Sequence, residues 1–290
     1  MSVAFVAEVS SNHQRDLDRC LALIDAAAAI GCTAVKFQLF RIRELFAPEV
    51  LAKSQEHRRR EAWELPTEFL PLLAERCHQV GLQFACTPFH LGAVEELLPY
   101  VGFFKVASYE LLWDDLLVAC ARTGKPVVLS TGMATLGEVQ GAVAVLRRAG
   151  CADLTLLHCV SGYPAPPKEC NLAAIETLRR ACECPVGWSD HSANPGVIYR
   201  AVHRWGAEMV EFHLDLEGEG AEYAAGGHCW LPEQIRPVIQ AVEVGLLADG
   251  NGEKVPAPSE TPERDWRADP SDGLRPMMRM RESWRQGRGQ

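Results

Sequence analysis

Two stretches decide how this chain folds: Pro185-Val186-Gly187-Trp188-Ser189-Asp190-His191-Ser192, and further on Ala207-Glu208-Met209-Val210-Glu211-Phe212-His213. Each is a short, mostly apolar run that turns polar at its C-terminal end, the pattern of a buried strand. The segment between them opens at Asn194-Pro195, follows a helical period and closes at Trp205-Gly206. Gly just past a helix supplies the left-handed conformation that stops it at little cost. Strand, helix and strand in succession make a parallel crossover unit. Working outward in both directions, the same alternation fills the chain. Strands are predicted at Ala4–Val9, Ala34–Leu39, Gln83–Cys86, Phe103–Ala107, Pro126–Ser130, Leu154–Cys159, Pro185–Trp188 and Ala207–Phe212. Helices are predicted to begin near Asp16, Pro66, His90, Trp113, Leu136, Asn171, Asn194 and Pro232. That many units in about 245 residues matches a closed parallel barrel. An open doubly wound sheet is the alternative, but no Gly-x-Gly-x-x-Gly turn follows the first strand. The expectation is an α/β chain: a (β/α)8 TIM barrel over residues 1–250 and a C-terminal tail over 251–290. The tail is rich in Pro, Asp, Glu and Arg and reads as mostly irregular, with one packed segment around Leu274–Met280.

Composition narrows the function. With 48% hydrophobic and 23% charged residues the chain is an ordinary globular protein. A net charge of −9 argues against a general nucleic-acid or membrane-surface binder, and leaves room for a local basic pocket. The 11 cysteines are odd in number and scattered, which favours a reduced, cytoplasmic setting over a disulfide framework. Cys182-Glu183-Cys184 is too tight for a zinc knuckle. Neither a secretory signal nor an apolar run of about 18 residues is visible. The connection Phe40–Leu65 is longer than the others and carries Arg58-Arg59-Arg60, to be read as a lid or as a solvated charge run.

In a parallel barrel, chemistry gathers where strands end and the following loops begin. Glu8 ends the first strand, and Lys36 and Gln38 interrupt the second. Thr87 follows the third, and Lys105 and Ser108 end the fourth. Ser130 ends the fifth, Ser161 and Tyr163 lie at the sixth, Ser189 and His191 at the seventh, and His213 at the eighth. Side chains alternate along a strand, so Lys36 and Gln38 point the same way, toward the barrel axis if Phe37 packs outward. Two lysines with several hydroxyls suit a phosphorylated or carboxylated anion. Two imidazoles on adjacent strands suit a divalent metal with open positions, which can polarise a carbonyl. A buried glutamate beside them can move a proton or a water. Taken singly, each lysine also reads as a structural ion pair, Ser108 and Ser130 as turn hydroxyls, and a histidine as a hydrogen-bonded core residue. Their shared location favours a site.

The motifs resemble one family in order and register. Ala7-Glu8-Val9-Ser10-Ser11-Asn12-His13, Val35-Lys36-Phe37-Gln38, Cys86-Thr87-Pro88-Phe89, Lys105-Val106-Ala107-Ser108, Ser130-Thr131-Gly132-Met133, His158-Cys159-Val160-Ser161-Gly162-Tyr163-Pro164-Ala165-Pro166 and Ser189-Asp190-His191 follow one another as in sialic acid (N-acetylneuraminate) synthases, from roughly Val3 to Val242. Such enzymes condense phosphoenolpyruvate with an N-acylated hexosamine to give a nine-carbon 2-keto sugar acid. The resemblance implies that His191 and His213 hold a divalent metal, Mn²⁺ by preference, with Mg²⁺ or Co²⁺ as alternatives, and that this metal polarises the sugar aldehyde. It implies that Glu8 handles the water or proton needed as C2 is quenched and phosphate leaves. Lys36, Thr87, Lys105, Ser108, Ser130, Ser161 and Ser189 would bind phosphoenolpyruvate, while Gln38 and Tyr163 would face the sugar.

The chain also departs from the family pattern. It stops at Gln290 without room for the family's small antifreeze-like domain, which contributes an arginine to the partner's sugar pocket in a dimer. That contact is expected to be missing or to come from a separate protein; a homodimer rests on analogy alone. Phe212 stands where the family has a basic residue, and Gln14-Arg15 replaces its Asn-Gly. The stretch Leu214–Tyr223 departs from the loop whose aspartate contacts sugar hydroxyls, with Glu222 as the substitute. The expectation is therefore a 2-keto acid synthase whose acceptor need not be N-acetylmannosamine. Two alternatives compete. One is another metal-dependent synthase or aldolase acting on phosphoenolpyruvate or pyruvate, for which Arg41, Arg43 and Arg58–Arg60 are the only basic cluster for a phosphorylated acceptor. The other is a non-catalytic paralogue that binds a partner chain.

Overall fold

Each apolar run pairs in parallel with the next, and the last pairs with the first. In the computed structural model, which describes residues 3–218, 222 and 226–287, the strands are β1 (Ala4–Glu8), β2 (Ala34–Leu39), β3 (Gln83–Pro88), β4 (Phe103–Val106), β5 (Val127–Ser130), β6 (Leu154–Cys159), β7 (Val186–Asp190) and β8 (Met209–His213), closed in that order into a barrel. The closing pair runs in register from Ala4 opposite Met209 to Glu8 opposite His213. A helix follows each strand: α1 (Leu17–Ala29), α2 (Leu70–Gln79), α3 (Leu91–Leu97), α4 (Asp114–Arg122), α5 (Leu136–Arg148), α6 (Ala174–Cys182), α7 (Pro195–Tyr199, continued by a π-helical turn to Arg204) and α8 (Pro232–Ala248). Local chemistry fixes their starts. Asp16 caps α1 by accepting from Arg19 N, and Thr135 with Glu138 forms a reciprocal capping box on α5. His90 caps α3 through its ring.

The barrel interior is built in layers two residues apart along each strand. Val6, Ala34, Ala85, Phe103, Val128 and Leu157 form an apolar floor, with Met209 packed against it. On β7 this floor has Gly187, and here a side chain is forbidden: a Cβ would lie 2.3 Å from Met209 O and 2.7 Å from Leu157 Cδ2. Two residues further along each strand the interior changes character completely. That next layer is Glu8, Lys36, Thr87, Lys105, Ser130, Cys159, Ser189 and Glu211, one residue from every strand and all buried. The alternate residues, such as Phe5, Phe37, Phe104, Trp188 and Phe212, point outward into the main core under the helices.

Two sequence expectations change in detail. Phe40–Leu65 is not an open loop; it contains the short helices Ile42–Leu45, Pro48–Lys53 and Gln55–Arg59. Two of its arginines are engaged: the Arg60 guanidinium lies 5.6 Å and 5.5 Å from the ring centres of Phe46 and Trp63, and Arg41 pairs with Glu96 at 2.8 Å. The chain divides into one compact unit ending at Leu247 and a second from Ala248 onward. The second is more ordered than an irregular tail. It holds the helix α9 (Met278–Arg285), whose first backbone N–H, that of Met278, donates to Asp269 at 2.6 Å, and Trp266 meets Trp284 edge-on. Three arginines and a run of polar residues hid α9 from the hydrophobic periodicity.

Candidate active site

The polar layer opens upward into a cavity at the C-terminal end of the barrel. Glu8, Lys36, Gln38, Lys105, Ser108, Ser130, Tyr163, Ser189, His191 and His213 line it, joined by Ala107, Tyr109, Cys159 and Glu211. Ten of the residues expected from sequence thus converge on one space. Thr87 stands just beneath, accepting from Lys36 Nζ at 3.1 Å in the alignment the pair adopts. Ser161 is not on the cavity wall, and its buried hydroxyl has no partner among the described residues. Glu222 lies behind His213 rather than facing the cavity. The surrounding residues 219–221 and 223–225 of its loop fall outside the described part.

At the floor of the cavity, four buried charges alternate. Lys36 Nζ is bonded to Glu8 and lies 3.8 Å from Glu211, and Lys105 Nζ lies 3.6 Å from the other oxygen of Glu211. Two carboxylates thus balance two ammonium groups, which is how buried charge is tolerated. Both readings of the lysines hold together: they are ion-paired and they line the cavity. Burial works against the Lys36 ammonium, but Glu211 and Glu8 outweigh it and its pKa is raised. For Lys105 burial prevails over the attraction of Glu211, and its pKa is lowered. Glu211 is held down to about 2: burial opposes this, and the two lysines overcome it. Lys105 is poorly satisfied: among the described residues its one hydrogen bond reaches Val106 O at 3.4 Å. Ser130 Oγ is likewise buried without a partner among the described residues. Beside it Gly132 packs tightly against two hydroxyls: a Cβ there would fall 2.4 Å from Ser161 Oγ and 2.9 Å from Ser108 Oγ. Unsatisfied donors on a cavity floor are what an incoming anion requires.

Glu211 is the residue that sequence reasoning passed over. It lies two positions before His213 on β8, so alternation alone places it on the axis. Asp190 moves the opposite way: flanked by inward Ser189 and His191, it points outward and accepts from the indoles of Trp188 and Trp230 at 3.1 Å each.

Above the floor, His191 and His213 face each other with ring centres 5.3 Å apart, and Tyr163 packs 4.2 Å from His191. His191 Nδ1 donates to Val160 O at 2.8 Å and His213 Nδ1 to Glu222 Oε2 at 2.8 Å. Each bond occupies Nδ1 and leaves Nε2 for another partner, the arrangement found behind metal-ligating histidines. Burial and then the neighbouring His213 hold His191 down to about 3, so it is neutral and able to ligate. The opposite holds at His213: burial lowers it, but Glu222 more than compensates and its pKa is raised. The donor set fits a divalent metal.

Glu110, in the turn after β4, is a buried carboxyl whose Oε2 has no partner among the described residues. Burial raises it to about 7 despite the attraction of Lys105. The folded chain therefore holds a proton that the unfolded chain releases above about 4.5, and stability falls as pH rises from there through about 7. Glu110→Gln is expected to remove that slope. Thermal midpoints measured from pH 5 to 8 should fall less in the variant than in the parent; parallel curves would show that Glu110 does not carry it.

Comparisons with known proteins agree with this geometry. The model of the NeuB family matches residues 23–254. The chain is 37% identical over 259 residues to an uncharacterized protein of Methanocaldococcus jannaschii, covering 88% of this chain and 74% of that protein. It is 32% identical over 284 residues to the N,N'-diacetyllegionaminic acid synthase of Legionella pneumophila, covering 91% and 78%. Among solved structures, the N-acetylneuraminic acid synthetase of Leptospira borgpetersenii in complex with citrate superposes with a TM-score of 0.81 at 31% identity, over 91% of this chain and 90% of that one. Fold, motifs and relatives agree, and the chain belongs to the NeuB family.

Proposed function

We propose that this chain condenses phosphoenolpyruvate with the open-chain aldehyde of an N-acylated hexosamine, adding water and releasing phosphate to give a nine-carbon 2-keto sugar acid. The observation that carries the reading is the coincidence, in one cavity, of under-satisfied cationic and hydroxyl donors with a buried glutamate and two imidazoles whose outer nitrogens are already fixed. Named relatives make acids of this class, among them legionaminic, pseudaminic and N-acetylneuraminate-9-phosphate synthases.

Lys36 and Lys105, with Ser108, Ser130 and Ser189 and with Thr87 behind Lys36, hold the phosphate and carboxylate of phosphoenolpyruvate and so place its C3 toward the upper cavity. His191 and His213 would hold a divalent metal, Mn²⁺ by preference, which would supply Lewis acidity toward the acceptor aldehyde. Gln38 and Tyr163 face the sugar. As C3 forms its bond to the aldehyde carbon, positive charge grows at C2. Glu8, fixed by Gln38 Nε2 at 2.7 Å and by Lys36, takes the proton from the water that adds there. Loss of phosphate, which carries off the proton of the C2 hydroxyl, then leaves the keto group, and the proton taken by Glu8 ends on the former aldehyde oxygen, now a hydroxyl.

The test is phosphate release from phosphoenolpyruvate by metal-stripped chain, with and without Mn²⁺, across free and phosphorylated N-acylated hexosamines. Release that needs the metal and one free amino sugar is the expected result. His191→Ala should abolish it while the unfolding midpoint stays near that of the parent. Release with phosphorylated acceptors alone, or unchanged turnover in His191→Ala, would overturn the reading.

A further inference from the structure

On the far side of His213 from the cavity lies a second donor set. His213, Glu222, His228 and Cys229 place one ligand atom each within 4.8 Å of one another. Three come from the loop after β8 and one from the strand itself. The spacings are close to those of a tetrahedral centre. Metal–ligand distances of about 2.1 Å for nitrogen or oxygen and about 2.3 Å for sulfur imply edges of about 3.4 Å between N or O donors and about 3.6 Å between S and O. His228 Nε2 lies 3.7 Å and Cys229 Sγ 3.9 Å from the shared Glu222 Oε2. His213 Nδ1, at 2.8 Å from the same oxygen, would move outward by about half an ångström on losing its proton to a metal.

The surroundings support this arrangement. Ser10 and Ser11 donate to Glu222 Oε1, which leaves Oε2 to face the two rings and the sulfur. Asn12 accepts from Glu222 N at 3.2 Å and donates to Cys229 Sγ at 3.7 Å, so one buried amide orients both the carboxylate and the sulfur. Outer partners of this kind fix ligands in metal centres. All of His213, His228 and Cys229 are buried.

We propose that His213, Glu222, His228 and Cys229 form a four-donor centre for a thiophilic divalent ion of the Zn²⁺ class, on the opposite side of His213 from the barrel cavity. Thiolate selects Zn²⁺ or Co²⁺ over Mg²⁺ and Mn²⁺, which prefer oxygen. With four protein donors and no open position, the centre is structural rather than catalytic. One imidazole then serves two neighbouring sites through opposite nitrogens. The proposal does not depend on the synthase reading, because its test reads the metal and not turnover.

The whole chain is loaded with Co²⁺ alone and its absorption recorded. A thiolate-to-cobalt charge-transfer band with intense visible bands is expected. The band should vanish in Cys229→Ser, weaken in His228→Ala and persist in His191→Ala, which alters only the cavity. Should Cys229→Ser fail to fold, X-ray absorption on the Zn²⁺-loaded parent answers the same question: one sulfur at about 2.3 Å is expected. Cobalt bound without a thiolate band, a band indifferent to Cys229, its loss in His191→Ala, or a zinc shell lacking sulfur would each overturn the proposal.

Discussion

Glu211→Gln is expected to be the most destabilising single-atom exchange in the barrel, costing about 3–5 kcal/mol, the scale for removing one partner of a buried ion pair. The amide keeps the shape and the contact with Ser189, whose hydroxyl lies 3.2 Å from Oε1. What disappears is the charge that both lysines share, leaving Glu8 alone opposite two ammonium groups. The folded chain can escape only by releasing a proton, and Lys105, already lowered by burial, is the group to do so. Such release costs about 1.4 kcal/mol per pH unit below the ordinary lysine value, which bounds the loss near pH 7 at about 5 kcal/mol. The sign follows. The unfolded variant binds a proton that the folded one lacks, so its stability rises with pH, and the deficit relative to the parent should shrink from pH 7 toward pH 10. Denaturant unfolding at the two pH values measures it. On the proposed function, phosphoenolpyruvate should restore part of the loss, since it brings the missing negative charge. A variant as stable as its parent at pH 7 would show that the four charges are not mutually compensating.

The second large effect is expected in catalysis. Glu8→Gln should turn over at least about 10²-fold more slowly, the usual scale for a lost general base, while phosphoenolpyruvate still shifts its unfolding midpoint. The amide can keep the contact to Gln38 after reorienting, and it cannot take a proton. Single-turnover phosphate release separates the two quantities. Undiminished turnover removes Glu8 from the mechanism; loss of binding together with turnover makes it a structural partner of Lys36.

The barrel was legible because its strands are apolar runs buried on both faces, with helices punctuated by caps and glycines. Ala34–Leu39 and Leu154–Cys159 coincide with the observed strands. Most of the site was legible for a related reason: a lysine or glutamate in such a run has no cheap place to go except the axis. Glu211 obeys that same rule, but the eye stops at His213, which ends the strand. The donor set around Glu222 was not legible. His228 and Cys229 follow no period, and nothing local ties them to Asn12 at the other end of the chain. Glu222 was read as facing the sugar because spacing along a loop says nothing about which side of His213 it takes. In the tail, α9 escaped because its residues are charged and its cap, Asp269, is nine residues away.

The register that seats Glu8 opposite His213 has a consequence for biogenesis. The first and last strands are neighbours, and Leu214 N donates to Glu8 O at 2.8 Å across the seam. A nascent chain emerging from the ribosome carries its glutamate and both lysines long before the imidazoles arrive. Until β8 is synthesised, those charges have no Glu211 and no closed wall to shelter them. Ligand binding cannot precede seam closure, so the appearance of binding during synthesis or refolding serves as a clock for the last step of folding.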